Sequence, residues 1–164
     1  MKKALFLSIL SVLLVSCGNK NNGSIERFYY ENVELTPPED NSGAYVTVEP
    51  GSKTAIRFAY IHPDEEFIAD DELAELFWIE LPANMTEFSI TTGDDVSHSE
   101  IELFYVRSCF CYFEQPFTFS RKNVSGQKIA PNQWRISFDI AVEFNENEYV
   151  LKDNGTYALS TFDN

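Results

Sequence analysis

Trp134-Arg135-Ile136-Ser137-Phe138-Asp139-Ile140-Ala141-Val142-Glu143-Phe144 decides the fold class of this chain. Read with a period of two, Trp134, Ile136, Phe138, Ile140, Val142 and Phe144 fall on one face, and Arg135, Ser137, Asp139 and Glu143 on the other. Successive side chains of an extended strand point to opposite sides, so this pattern buries one face against a core and wets the other. A helix would scatter the same residues around its circumference. Trp134 is accordingly expected in the core.

The same alternation recurs along the chain. Val46 and Val48 lead into Pro50-Gly51, the residue types of a type II turn, and Ile56, Phe58 and Tyr60 continue beyond, which predicts a hairpin. Phe77, Ile79 and Leu81 alternate before Pro82, Phe88 and Ile90 before Gly93, and Ile101, Leu103 and Tyr105 before an aromatic stretch; Phe117 and Phe119 mark another strand. Asp153-Asn154-Gly155 separates Tyr149–Leu151 from Tyr157–Phe162, and its Asn-Gly step favours the positive φ of tight hairpin turns. The exception is Ala69 to Phe77, where Asp70 or Asp71 caps a short helical turn with Leu73, Leu76 and Phe77 inward. Nine or ten strands and one helical turn predict a single antiparallel all-β domain over 25–164. A two-sheet, immunoglobulin-like sandwich is the first expectation and a lipocalin-like barrel the alternative, because both use the same alternation.

The chain opens differently. Lys2 and Lys3 precede an apolar run from Ala4 to Val15, shorter than the roughly 20 residues that span a bilayer. Leu14-Val15-Ser16-Cys17 follows, a large aliphatic, a permissive position, a small residue and a cysteine. This stretch resembles the lipobox of bacterial lipoproteins. The resemblance implies that residues 1–16 are a cleaved signal, that Cys17 carries a covalent lipid, and that the mature protein is held on a membrane. Residues 17–24 then form a flexible tether, since Gly18-Asn19-Lys20-Asn21-Asn22-Gly23-Ser24 has nothing apolar to bury. Acidic residues behind the cysteine, which resemble a surface-export signal, do not occur in this tether, and position 18 is Gly and not the Asp that resembles an inner-membrane retention signal. An outer-membrane lipoprotein facing the periplasm is the expectation.

Composition narrows the partners. The formal net charge is −14, and loss of Lys2 and Lys3 with the signal takes it to −16. Such a domain repels phosphate backbones, so nucleic-acid binding is not expected, while a basic partner or cations would be attracted. Cys109 and Cys111 are the remaining cysteines and a candidate disulfide pair. On a regular strand their Cα atoms stand roughly 6.5–7 Å apart, near the upper limit for a bridge, so two buried thiols or metal and redox work stay open. Asp64, Glu66 and Asp70 in one acidic cluster, with Asp94, Asp95 and His98 in another, are weak metal-ligand candidates. Neither cluster has the ligand ladder and glycine of a calcium loop, so no metal or cofactor beyond the lipid is expected.

Catalytic motifs are missing from the chain: it has no Gly-X-Ser-X-Gly elbow, no His-Glu-X-X-His pair and no phosphate-cradling glycine loop. His62 and His98 are its two histidines. Glycosidase-type carboxylate pairs carry no spacing rule, and an unrecognised hydrolase is the least favoured reading. Binding is the better expectation. If Phe77, Ile79 and Leu81 face inward and the other side is wet, Trp78 and Glu80 point outward as an indole beside a carboxylate, suited to a sugar ring or a partner's arginine; if the strand is buried on both sides, the reading that weighs more, Trp78 is simply core; Tyr29, Tyr30 and Tyr45 are further candidates. The sequence therefore points to an anchored recognition or structural module for a protein or glycan, or to an acidic inhibitor or immunity-type protein that neutralises a basic partner.

Overall fold

The computed structural model describes residues 23–37, 46–63, 73–93, 100–108, 117–144 and 146–161. Eight strands follow in order: β1 (Ser24–Thr36), β2 (Thr47–Ile61), β3 (Ala74–Pro82), β4 (Glu87–Ile90), β5 (Glu102–Ser108), β6 (Thr118–Ala130), β7 (Gln133–Phe144) and β8 (Asn147–Leu159). They form one sheet in the order β4-β6-β7-β8-β1-β2-β3-β5. No ladder joins β4 to β5 among the described residues, so the sheet is open and not a closed barrel. All pairs are antiparallel except β1 with β8, which run parallel over Phe28↔Ala158 and Tyr29↔Leu159. The sheet is thus mixed, where a purely antiparallel one was expected.

The periodicity of 134–144 holds along β7. Trp134, Ile136, Phe138, Ile140 and Val142 are buried, and Arg135, Ser137 and Glu143 are exposed. The sheet curls so that its two halves meet: the ring of Phe138 on β7 lies 5.1 Å from Phe58 on β2 and 4.9 Å from Phe77 on β3. Such ring pairs add about 1 kcal/mol each beyond the area they bury. Tyr29, Ile56, Ile79, Leu81, Phe88, Val124, Leu151 and Tyr157 complete this interior.

Three local expectations are overturned. Ala74–Phe77 belongs to β3, because Leu76 and Phe77 lie on opposite sides of a strand buried on both, so the apolar residues read as one helix face fill two strand faces. Pro50-Gly51 does not turn the chain; β2 passes straight through it, and a bulge there sets both Pro50 and Lys53 against Val33. Asn154-Gly155 likewise lies inside β8, opposite Ser137 and Ile136. The β7–β8 hairpin closes instead at Phe144↔Asn147, with Glu146 at φ 63°. Both glycines serve close approach. A Cβ at Gly51 would stand 2.6 Å from Glu34 Cβ, and one at Gly155 would stand 2.4 Å from Arg27 Nε.

The space at Gly155 admits a cross-strand clasp. Arg27 Nε donates to Asp153 Oδ2 at 2.8 Å and Arg27 Nη2 to Oδ1 at 2.6 Å, and the buried Tyr157 hydroxyl donates to Oδ2 at 2.8 Å. This fork reinforces the short parallel seam between β1 and β8, with Ser160 N donating to Tyr29 O at 2.9 Å beside it. Burial pushes the Asp153 carboxyl up, but Arg27 and Tyr157 outweigh it and hold the group below the ordinary aspartate range.

A folded-state pKa below the unfolded one contributes stability above the unfolded value, about 3.9, and loses it as pH falls through the folded value. Asp153→Asn is therefore expected to cost about 2 kcal/mol at neutral pH. It should also flatten the fall in urea-unfolding free energy below about pH 4. An unchanged acid slope would remove the clasp from this role.

Candidate functional site

The second face of β3 is where sequence placed a binding surface. Trp78 and Glu80 do oppose Phe77, Ile79 and Leu81, but they are covered, at 6% and 1% exposure. The cover comes from β1 and β2 themselves. Asn32 takes φ 58° at the β1 bulge and Gly51-Ser52 adds residues on β2, so the far end of this strand pair folds across the sheet. Val33, Leu35 and Val46 then form a second small core with Ala55, Trp78 and Val106.

The arginine foreseen for the indole is supplied from within the chain, and so are the donors to the carboxylate. The guanidinium of Arg57 lies 5.9 Å over the Trp78 ring while bound to Glu26 at 2.8 Å, and Tyr30 stacks on Trp78 at 6.2 Å. Glu80 Oε2 accepts from the backbone N–H of Leu35 at 2.6 Å, and Oε1 accepts from Lys53 Nζ. Trp78 and Glu80 are thus a packed junction and not an open platform. Of the other aromatic candidates, Tyr29 is fully buried and Tyr30 half-buried.

Lys53 carries the junction to the surface. It bridges Glu80 to Glu34, 3.5 Å away, and its ammonium is held above the ordinary lysine range, first by the hydrogen bond to Glu80, against a smaller opposing effect of burial. Around it opens a cleft of about 510 Å³ lined by Ser52, Lys53, Pro82, Asn84, Glu100 and Glu102. Two pairs of like charges sit directly across neighbouring strands here, Glu34 opposite Glu49 and Glu80 opposite Glu102. Such pairs oppose strand pairing, and Lys53 offsets them in part. The cleft therefore offers carboxylates at its rim beside one ammonium, groups whose chemistry suits hydroxyls and cations.

A second polar cluster occupies the opposite end of β2, β3 and β5. Glu75 accepts from the Tyr105 hydroxyl at 2.7 Å through Oε1, and its Oε2 lies 3.0 Å from His62 Nε2. Tyr60 packs edge-on to His62 at 4.6 Å, and Arg107 lies 4.4 Å over the ring of Tyr149. Burial, then the Glu75 charge, pushes the Tyr105 hydroxyl far above its ordinary range, so it stays a proton donor. Both Glu75 oxygens are engaged, and the cluster clasps strand ends. Sequence reading noted His62 only as one of the chain's two histidines and gave no role to Glu75 or Tyr105, since their meeting depends on the register Glu75↔Arg107 and Phe77↔Tyr105.

Cys17, Tyr45, Asp64, Glu66, Asp70, Asp94, Asp95, His98, Cys109 and Cys111 lie outside the described residues. Among the described residues no three His, Cys, Asp or Glu side chains gather as a metal site. Comparison of the chain with protein-family models, with curated proteins and with solved structures gives no match.

Lys53→Met leaves the Glu80 charge buried beside a single backbone donor, and is expected to lower unfolding free energy by about 2 kcal/mol. Lys53→Met with Glu80→Leu should lose less than the sum of the two single changes, by about 1 kcal/mol or more in a double-mutant cycle. Additive losses would show that the two side chains act independently.

Proposed function

We propose that this protein is a lipid-anchored lipoprotein of the bacterial cell envelope, in the outer membrane facing the periplasm, whose β domain is a non-catalytic recognition module for a protein or glycan. The anchor reading rests on Leu14-Val15-Ser16-Cys17 and on the polar stretch that separates it from β1. A sandwich reading of the domain is supported by the rings of Phe58 and Phe77 packing against Phe138 from the other half of the sheet.

The observation that carries the binding reading is the cleft around Lys53. Its walls are strand ends and the turn after Pro82, and its ammonium, on Lys53, is held by the buried Glu80 before any ligand arrives. Glu100 and Glu102 stand exposed at the rim, where they accept hydrogen bonds from sugar hydroxyls or from a partner's Lys and Arg.

The exposed carboxylates Glu34, Glu49 and Glu102 favour a second reading, an inhibitor or immunity-type protein that neutralises a basic partner. The two readings differ in salt dependence, since attraction between exposed charges is screened within about 8–10 Å at physiological ionic strength.

Three results are expected. Cys17→Ala should abolish lipid attachment and release the protein from the membrane fraction. A partner captured from detergent-solubilised envelope by the wild-type domain should be lost from the Glu100→Gln, Glu102→Gln double variant. Retention should fall steeply from low to high salt if the partner is a basic protein and hold nearly constant if it is a neutral glycan. Capture that ignores the double substitution would take the cleft out of the proposal.

A further inference from the structure

We infer that the outer face of β4, β6, β7 and β8 is a second binding surface, a shallow polar trough that takes a neutral oligosaccharide chain laid across the strands. Such a surface rests on the recognition reading of the domain, takes up its glycan alternative, and lies on the other half of the sheet from the Lys53 cleft.

Strand register builds the trough. Ser89 on β4 pairs with Ser125 on β6, Ser125 with Ser137 on β7, and Ser137 with Asn154 on β8. All four side chains are exposed, on the face away from Phe88, Val124 and Phe138. One row along, Asn123, Asp139 and Lys152 are partnered in turn, and on the other side stand Glu87, Gln127 and Arg135. Rows on one face are about 7 Å apart along a strand, and neighbouring strands about 4.8 Å apart. The short side chains of the middle row therefore form a floor roughly 14 Å long between longer ones. A groove of about 290 Å³ opens over Ser89, Asn123, Ser125, Ser137 and Asp139.

The groups lining this groove are open to a ligand. The side chains of Ser89, Asn123, Ser125 and Ser137 are exposed and make no hydrogen bond within the described residues. Asp139 is fixed between two cations: its Oδ1 accepts from Arg121 Nε at 2.8 Å, and its Oδ2 lies 2.7 Å from Lys152 Nζ. Lys152 first, then Arg121, outweigh the loss of hydration and hold the carboxyl below the ordinary aspartate range. Each carboxylate oxygen keeps a lone pair beyond the one so used. A sugar hydroxyl donates and accepts at once, so vicinal hydroxyls can donate to Asp139 while accepting from the Asn123 amide beside it.

Charge selects the ligand. In a chain of net charge −14, the trough and its walls set Glu87 and Asp139 against Arg121, Arg135 and Lys152. A face so nearly balanced exerts little long-range pull on a polycation or a polyanion. The acidic pair Glu143 and Glu148 lies two rows further along β7 and β8, beyond Ala141 and Val150. An extended peptide would need pockets for its alternate side chains. These rows offer it no apolar contact, since the exposed Ile129, Val150 and Leu159 fall outside them.

The test uses the full-length protein in detergent micelles, with maltohexaose, cellohexaose and chitohexaose as neutral probes and hexa-arginine as a basic one. Saturation-transfer NMR is expected to show at least one hexasaccharide bound. Raising NaCl from about 50 to about 500 mM should change its affinity less than about twofold, because no charge is neutralised. The Asn123→Ala, Ser137→Leu double variant should weaken binding about tenfold or more, whereas Glu100→Gln with Glu102→Gln leaves it unchanged. Asn123→Ala alone, at an exposed side chain without a partner, serves if Ser137→Leu alters the circular dichroism of the fold, with a loss of about threefold expected. Binding of none of the hexasaccharides would overturn the trough and leave the envelope reading and the Lys53 cleft standing. Sugar binding lost in the glutamate variant and kept in the trough variants would move the sugar to the cleft, and hexa-arginine bound through the trough would overturn its choice of a neutral ligand.

Discussion

The fork between Arg27 and Asp153 is the constraint around which this fold is arranged. Two groups of strands, β4-β6-β7-β8 and β1-β2-β3-β5, are joined by a parallel ladder only two residue pairs long. Backbone pairing of that length is a weak hinge. The guanidinium crossing from β1 to β8, with Tyr157 donating to the same carboxylate, gives the seam a geometry that a hydrophobic contact would leave loose. Once the seam is set, Phe58 and Phe77 meet Phe138, and the interior closes.

Much of the strand content was legible because each strand of the interior has to alternate. The residues from Trp134 to Val142, from Phe77 to Leu81, and at Phe88 and Ile90 were assigned to the correct face by period alone. The errors share a cause. Pro50-Gly51 and Asn154-Gly155 look like turns because glycine is usually read as a source of positive φ. Here Gly51 and Gly155 do not take positive φ and supply space, one for Glu34 and one for Arg27, while the positive φ values among the described residues fall on Asn32, Gly93 and Glu146. A long-range clash leaves no trace in local sequence. The supposed helix before Phe77 failed for a related reason: Leu76 and Phe77 feed two different cores, which a single-face template cannot represent.

The site followed the same division. That Trp78 and Glu80 share a face was readable from spacing, and burial of Trp78 was the weightier of its two readings, whereas the cover over Glu80 was not readable, because it depends on a bulge that swings Leu35 over β3. Glu80 is in that sense a transmitted feature. Its charge is neutralised inside the molecule by Lys53, and Lys53 is what the surface cleft presents. The acidic character evident from composition thus acquires a location, with Glu34, Glu100 and Glu102 gathered near one ammonium.

The parallel seam also fixes an order of events. Arg27 and Asp153 are 126 residues apart, so the first strand made has its closing partner in the last. Hairpins β2–β3, β6–β7 and β7–β8 can form as soon as their own residues exist, but the join between the two halves must wait for the whole chain. Contacts this distant in sequence slow folding, because a large loop must close before they reward it. During synthesis β1 pairs with β2 and leaves its other edge open until β8 arrives. Exposed strand edges template misassociation. The feature that completes the native sheet is therefore also the one that leaves a strand edge uncovered longest.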